Sequence, residues 1–282
     1  MSDPRDKLDH VSTSPSDPAH RACAFCQRTE QKITNEHVIG QRFRSLFPPA
    51  ETVHHKSFTT NQPGGDLQRW SYYAADIDLE VQAMCEACNS GWMADIDEAA
   101  HGVLKEVLTS TASRSLTVVD QERLSAWIAK VSMVAEYLTP ENILIPQRHR
   151  DWMCQHHRPP PNTFVWIAGF SQPEITPDFV GDVDFVRFRH DSIRLKVDGA
   201  VWLDVRSYEA TLCVGDLVCR FIGTTFPRPI PRLRSPGPAF GQVWPTVTRD
   251  LPWPPNVLTD DDLERVFATG DQRDQAPELG PE

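Results

Sequence analysis

An α+β fold is what this sequence predicts, on three observations. Two apolar runs at helical spacing lie in its middle, a block of alternating strands fills residues 163 to 226, and two C-x-x-C pairs precede both. With 282 residues, 40% of them hydrophobic, the chain can close a real core as one large domain or two small ones. Its net charge of -11, from 28 basic and 39 acidic side chains, excludes a surface that is basic all round, so any contact with a polyanion has to be local. No apolar run reaches the roughly 18 residues of a membrane span, and the first twenty residues lack the apolar centre of a signal peptide. A cytoplasmic protein without a membrane partner is expected.

Residues 1–19 are rich in Ser, Asp and Pro and read as a disordered leader. Residues 20–110 form the first expected domain. It opens with Cys23-Ala-Phe-Cys26, passes through Glu36-His37-Val-Ile, and continues as a basic segment, GQRFRSLF, stopped by Pro48 and Pro49. A polar insertion follows, a hairpin of HHKSFTT and LQRWSYYAADI about the turn residues NQPGG at 61–65. Cys85-Glu-Ala-Cys88 then leads into a helix from about Asn89 to Leu108, with Trp92, Ile96, Ala99 and Val103 on its apolar face. Trp92 and Met93 read as core.

The second domain, residues 111–226, begins with a core helix over about Gln121 to Leu138, for which Asp120 reads as the N-cap. A third helix is expected within RHRDWMCQHH, ahead of Pro159 to Pro161. The strands TFVWIAGF, VDFVRFRH, SIRLKV, AVWLDV and ATLCVGDLVCRFIGTTF then make an antiparallel sheet, which needs a covering layer. Residues 227–257 are proline-rich, with nine prolines among the 29 residues 227–255, and predict an extended wrap without regular structure. Residues 258–282 read as a short helix capped by Thr259, then a mobile tail.

Seven cysteines is an odd number, and four of them stand in the two C-x-x-C pairs. Each such turn aims two thiolates at one ion, and two turns together supply the tetrahedral sulfur set of a structural zinc site. Cys23, Cys26, Cys85 and Cys88 are therefore the expected zinc ligands, with Cys154, Cys213 and Cys219 outside the set. The histidines at 149, 156 and 157, with Cys154, are a weaker candidate metal group, and His54-His55 read as exposed.

Between the two knuckles stand an acid and an imidazole side by side, Glu36-His37, and Asn89 follows the second knuckle at a helix start. The order CAFC, EHVIG, CEACNSGWMADID resembles the HNH endonucleases, the zinc-knuckle branch of the ββα-metal nucleases, over about 80 residues of the 282. The resemblance implies a β-hairpin and a helix around a divalent metal, fastened by zinc. It implies cleavage of phosphodiester bonds in nucleic acid, DNA ahead of RNA, and gives His37 the role of general base. Asn89 becomes an orienting residue, and Glu36 and Asp97 become oxygen ligands of a catalytic Mg2+ or Mn2+. On an unbroken helix, eight residues at about 100° each put Asp97 roughly 80° from Asn89 and Glu98 opposite, which leaves Glu98 as the reserve ligand.

Two departures from the pattern stand out: Gly40 replaces a proline after EHVI, and 47 residues separate His37 from Cys85. Residues 76–98 hold seven acids and no Lys or Arg, so the expected nucleic-acid-binding wall is Arg28, Lys32, Arg42 and Arg44 on the His37 side, with the run from Arg220 to Arg249, five arginines and no acid, as a second candidate that either lines a groove or hydrates an extended segment. The alternative is a zinc-stapled module that binds nucleic acid or protein while its nuclease site has decayed. DNA against RNA, strandedness, oligomeric state and the role of the β-rich half are not written in the sequence.

Overall fold

The computed structural model describes residues 21–46, 53–60, 68–74, 79–109, 113–138, 140, 143–170, 185–197, 201–230, 233, 235–255, 257–259 and 262. It is a mixed α+β structure. The expected leader, the turn at 61–65 and the tail beyond Asp262 lie outside the described residues.

The N-terminal unit is a hairpin against a helix. Strand β1 (Ile33–His37) pairs antiparallel with β4 (Glu80–Cys85), Ile33 opposite Cys85 and His37 opposite Glu80, with a register shift between Thr34 and Glu36. That irregularity re-aims the strand just where the acid and the imidazole stand. From β4 the chain enters one short helical turn, α1 (Glu86–Cys88), widens into a π turn over Asn89–Met93, and continues as α2 (Ala94–Thr109). The helix expected from Asn89 is thus interrupted: Gly91, at φ -95° and ψ -119°, leaves helical geometry inside it.

The inserted hairpin belongs to a different sheet from β1 and β4. Strands β2 (Val53–Thr60) and β3 (Gln68–Ala74) pair with each other, and β2 lies parallel to β7 (Phe185–Val197). They extend the large sheet, whose order is β10-β6-β9-β8-β7-β2-β3. Its other members are β6 (Thr163–Phe170), β8 (Val201–Val214), β9 (Leu217–Thr224) and β10 (Gly241–Trp244). Two stretches read as separate strands, VDFVRFRH and SIRLKV, are one continuous strand, β7, paired along its length with β8.

Helix α3 (Val118–Ala135) is the cover that this sheet requires. It is buried nearly all round because α2 packs on it from one side and the sheet from the other. Its N-cap is Thr117, not Asp120: Asp120 sits three residues in and closes a capping box, its Oδ2 accepting from the Thr117 backbone N–H at 3.0 Å. One continuous core runs from Cys23 and Phe25 through Met84, Trp92 and Met93 to Leu124, Trp127 and the inward face of the sheet at Val165 and Ile167. The two expected domains share it.

The proline-rich stretch does wrap the outer face of the sheet. Ile230, Leu233, Phe240 and Leu258 cover Phe164, Trp166 and Ala168, the alternate residues of β6. It also forms regular structure that the sequence reading excluded: β10, β11 (Leu251–Trp253) and β12 (Val257–Leu258). Prolines are tolerated there because the strands are two to four residues long and each lies along an edge. Strand β11 pairs with β5 (Arg114–Leu116), and the Trp253 indole N–H donates to the Val107 carbonyl at 3.3 Å, which ties the wrap to α2. At its end the Thr259 hydroxyl accepts from the Asp262 N–H at 3.3 Å, and the helix expected beyond it lies outside the described residues. The expected third helix is α4 (Gln147–His156), entered at Pro146 and ended by left-handed His157.

Candidate functional site

The hairpin and the helix meet at two clusters. In the first, the sulfurs of Cys23, Cys26, Cys85 and Cys88 all lie within 4.8 Å of one another. The backbone builds this from both sides. The Ala24 N–H donates to the Ala83 carbonyl at 2.8 Å, which lays the first knuckle along β4, and the Cys85 N–H donates to the Cys23 sulfur at 3.3 Å. Phe25 meets Trp92 edge-on at 5.1 Å, so the knuckle and the π turn share a small apolar seal. A hydrogen bond from the Cys88 thiol pulls Cys23 down to about 4, while burial pushes Cys26 up to about 11. Four converging soft donors in a closed, half-buried set fit a tetrahedral ion such as zinc. Cys213 and Cys219 are buried in the large sheet, away from this set.

The weaker histidine group does not converge. The His149 ring is buried with its Nδ1 2.6 Å from the Tyr208 hydroxyl, and burial, then Arg148 and Arg150, push it down to about 4, so it is neutral. His156 bonds to the Trp152 carbonyl and His157 stacks on Trp92. Cys154 stands beside Cys88, whose thiol lowers it. Among the described residues, only the four-cysteine cluster brings three or more ligand-type groups within reach of one ion.

The second cluster contains the expected catalytic residues. Glu36 from β1 and Asp97 from α2 are both 6% exposed and face the same interior point. That point is filled by Lys130 of α3, whose side chain is fully buried. Its Nζ lies 2.9 and 3.0 Å from the two oxygens of Asp97 and 3.5 Å from Glu36 Oε1. Burial pushes the Glu36 carboxyl up to about 7, against the pull of Lys130 and with the Asp97 charge adding to the rise. Asp97, whose oxygens lie nearest the ammonium, is the closer partner of Lys130.

Gly40 makes this arrangement possible. A Cβ there would lie 2.5 Å from Asp97 Oδ2, so the position that carries proline in the resembled pattern has to be bare here. Glu98, the reserve ligand, is on the outside, 80% exposed and ion-paired with Arg42. Asp97 does face inward as the helix argument expected, although the unbroken helix on which that argument stood is not what forms.

His37 points elsewhere from Glu36, as neighbours on a strand do. It is half-buried, with Nε2 2.9 Å from Glu80 Oε1 across the hairpin and 3.1 Å from the Gln41 side-chain nitrogen. Glu80 is held in turn by the Asn35 amide, which donates to its Oε2 at 2.7 Å. Asn89 reaches back from the π turn, its Nδ2 donating to Thr34 Oγ1 at 3.1 Å and to the Asn35 carbonyl at 3.0 Å. It fixes the backbone of β1. Arg28, Lys32, Arg42 and Arg44 are all exposed, with Arg42 engaged by Glu98.

The sequence reading missed Lys130 and Glu80. Lys130 is the only charged side chain between Arg123 and Glu136, inside a run otherwise suited to the core. A lone lysine there signals a buried partner. Glu80 gives no such signal, because it meets His37 only through the hairpin register.

A divalent ion does not fit between Glu36 and Asp97 as they stand. An ammonium already lies between them, hydrogen-bonded to Asp97 Oδ2 at 3.0 Å and 2.9 Å from Oδ1, and neutralises one of the two charges that such an ion would need. Comparison of the chain with protein-family models, with curated proteins and with solved structures gives no match in any of the three.

Proposed function

We propose that the chain is an HNH-type phosphodiester hydrolase acting on nucleic acid, with DNA ahead of RNA, built on a zinc-stapled hairpin and helix. The observation that carries this reading is the placement of His37: an imidazole at the rim of the hairpin, oriented by Glu80 and Gln41, on a strand whose backbone Asn89 pins to the helix. In this reading His37 takes the proton from a water aimed at phosphorus, which requires an imidazole held in one orientation near neutrality. Glu80 positions the ring, and Asn89 positions the strand. Arg28, Lys32 and Arg44 offer the positive charge that steers a phosphate backbone to a chain of net charge -11.

A second reading has its own supporting observation. Lys130 closes the carboxylate cluster, and a zinc-stapled module of this kind can bind nucleic acid or protein without cleaving anything. The test is a nuclease assay on zinc-loaded protein with plasmid, single-stranded DNA and RNA, each with magnesium, manganese and EDTA arms. Cleavage reduced about a hundredfold or more by His37→Ala supports the hydrolase. Parent protein that shifts nucleic acid in a gel but cleaves it in no arm supports the binding module. Cleavage equal in parent and His37→Ala removes His37 from the chemistry.

A further inference from the structure

We propose that Lys130 is the resident cation of the Glu36–Asp97 pair, standing where the HNH resemblance puts a divalent ion, so that this cluster holds no magnesium or manganese. Three observations converge on it. The ammonium is fully buried and lies 2.9 to 3.5 Å from oxygens of both carboxylates, the place an ion bridging them would take. The lysine comes from α3, outside the hairpin-helix unit, so the cation arrives with the packing of the second half of the chain and not from solvent. And Gly40, whose missing side chain leaves room for the Asp97 carboxylate, accommodates this arrangement from the opposite wall.

The energetics agree with the geometry. A buried ammonium is tolerated only where carboxylates pair with it, and two buried carboxylates are tolerated only with a cation between them. Each group is the reason the others can be buried. An outside divalent ion would have to displace the ammonium from both carboxylates and leave a buried charge without them. The site is therefore closed to exchange. It couples β1, α2 and α3 through one charge cluster and leaves His37 outside that cluster, paired with Glu80.

This inference deepens the proposed function and uses its assignment of the cluster, yet it is tested without nucleic acid. The zinc-loaded full chain is titrated with Mn2+ alone, and free Mn2+ is read by electron paramagnetic resonance. The parent is expected to show no Mn2+ site that disappears in Glu36→Gln or Asp97→Asn; weak binding unchanged by both variants is surface binding and agrees with this. One Mn2+ per chain that either variant abolishes would overturn the proposal. In Lys130→Ala the volume between the carboxylates opens, and a Mn2+ site at least tenfold tighter than any in the parent is expected, together with a Mn2+-dependent rise in Tm absent from the parent. A folded Lys130→Ala chain that ignores Mn2+ would also overturn it. If Lys130→Ala fails to fold, the parent titration decides, with Lys130→Arg as the charge-keeping control expected to stay without a site. Since cleavage is not read, a parent that binds no Mn2+ can still be active, and an inactive parent can still carry the lysine-closed cluster.

Discussion

The sulfur cluster and the carboxylate cluster are made by the same two pieces of chain and end differently. Both join the β1–β4 hairpin region to the helix that follows Cys85, and both gather anionic side chains at a buried point. At the first, four soft sulfur donors lie within 4.8 Å of one another, a set that could hold a metal ion such as zinc. At the second, α3 delivers its own ammonium. The difference teaches that neighbouring anionic clusters in one small unit are not equivalent metal sites. What separates them is whether a third element brings a cation.

The largest effect that would break this comparison comes from the sulfur side. Removing the ion with a strong chelator, or replacing Cys88 with serine, detaches the first knuckle from the helix, and structural zinc in small sulfur sites contributes on the order of 10 kcal/mol. Loss of cooperative unfolding of the N-terminal unit, followed by the Trp92 region in hydrogen exchange, is the expected readout. Replacing Cys213 should leave the metal content unchanged.

Next in size is Lys130→Met, which strands two buried carboxylates and should cost about 3–5 kcal/mol in denaturant unfolding at pH 8. The loss should be smaller at pH 5, where Glu36 is protonated and less negative charge is left unpaired. Gly40→Ala follows, at about 1–3 kcal/mol, because its Cβ would push into the Asp97 oxygen 2.5 Å away. It should weaken the carboxylate cluster without releasing zinc.

A smaller effect is a slope with pH. The Glu36 carboxyl is raised from its ordinary 4.5 to about 7, so the folded state binds this proton more tightly than the unfolded chain does. Its stabilising contribution is full below about 4.5 and is lost as pH rises through about 7. Glu36→Gln keeps the shape and removes the titration, so the variant should gain on the parent between pH 5 and pH 8. A parent-minus-variant difference in unfolding midpoint that is flat over this range would contradict the assignment. Glu136 is raised to about 7 by burial as well and contributes a slope of the same sign, which is why the difference and not the parent curve is the quantity to read.

The smallest stability effect belongs to His37→Ala. The ring is half-buried at the rim, and its removal should change stability by no more than about 1 kcal/mol while abolishing cleavage if the hydrolase reading holds.

The α+β composition, the four cysteines and most strands were legible in the sequence, because spacing and alternation are local properties. C-x-x-C turns place their sulfurs by themselves, and β6 and β9 are near-continuous apolar runs, as strands buried on both faces are. What was not legible depends on where distant pieces land. The β2–β3 hairpin looks from sequence like an insertion in the first unit, yet its partner is β7, more than a hundred residues on. Proline content alone excluded strands from 227–257, since nothing local says that Leu251–Trp253 will find Arg114–Leu116 as a partner. In the candidate site, Glu36 and Asp97 could be chosen from a pattern, but the group between them could not. Lys130 sits 94 positions from Glu36 and announces itself only as a charge out of place on an apolar helix.

The most direct test of the contrast between the two clusters is the metal inventory of freshly purified protein, by elemental analysis after extensive dialysis against buffer with micromolar zinc and millimolar manganese. One zinc per chain, lost in Cys88→Ser, and no manganese above the buffer blank is the predicted result. A chain with no zinc, or one that retains manganese in proportion to protein, would contradict it.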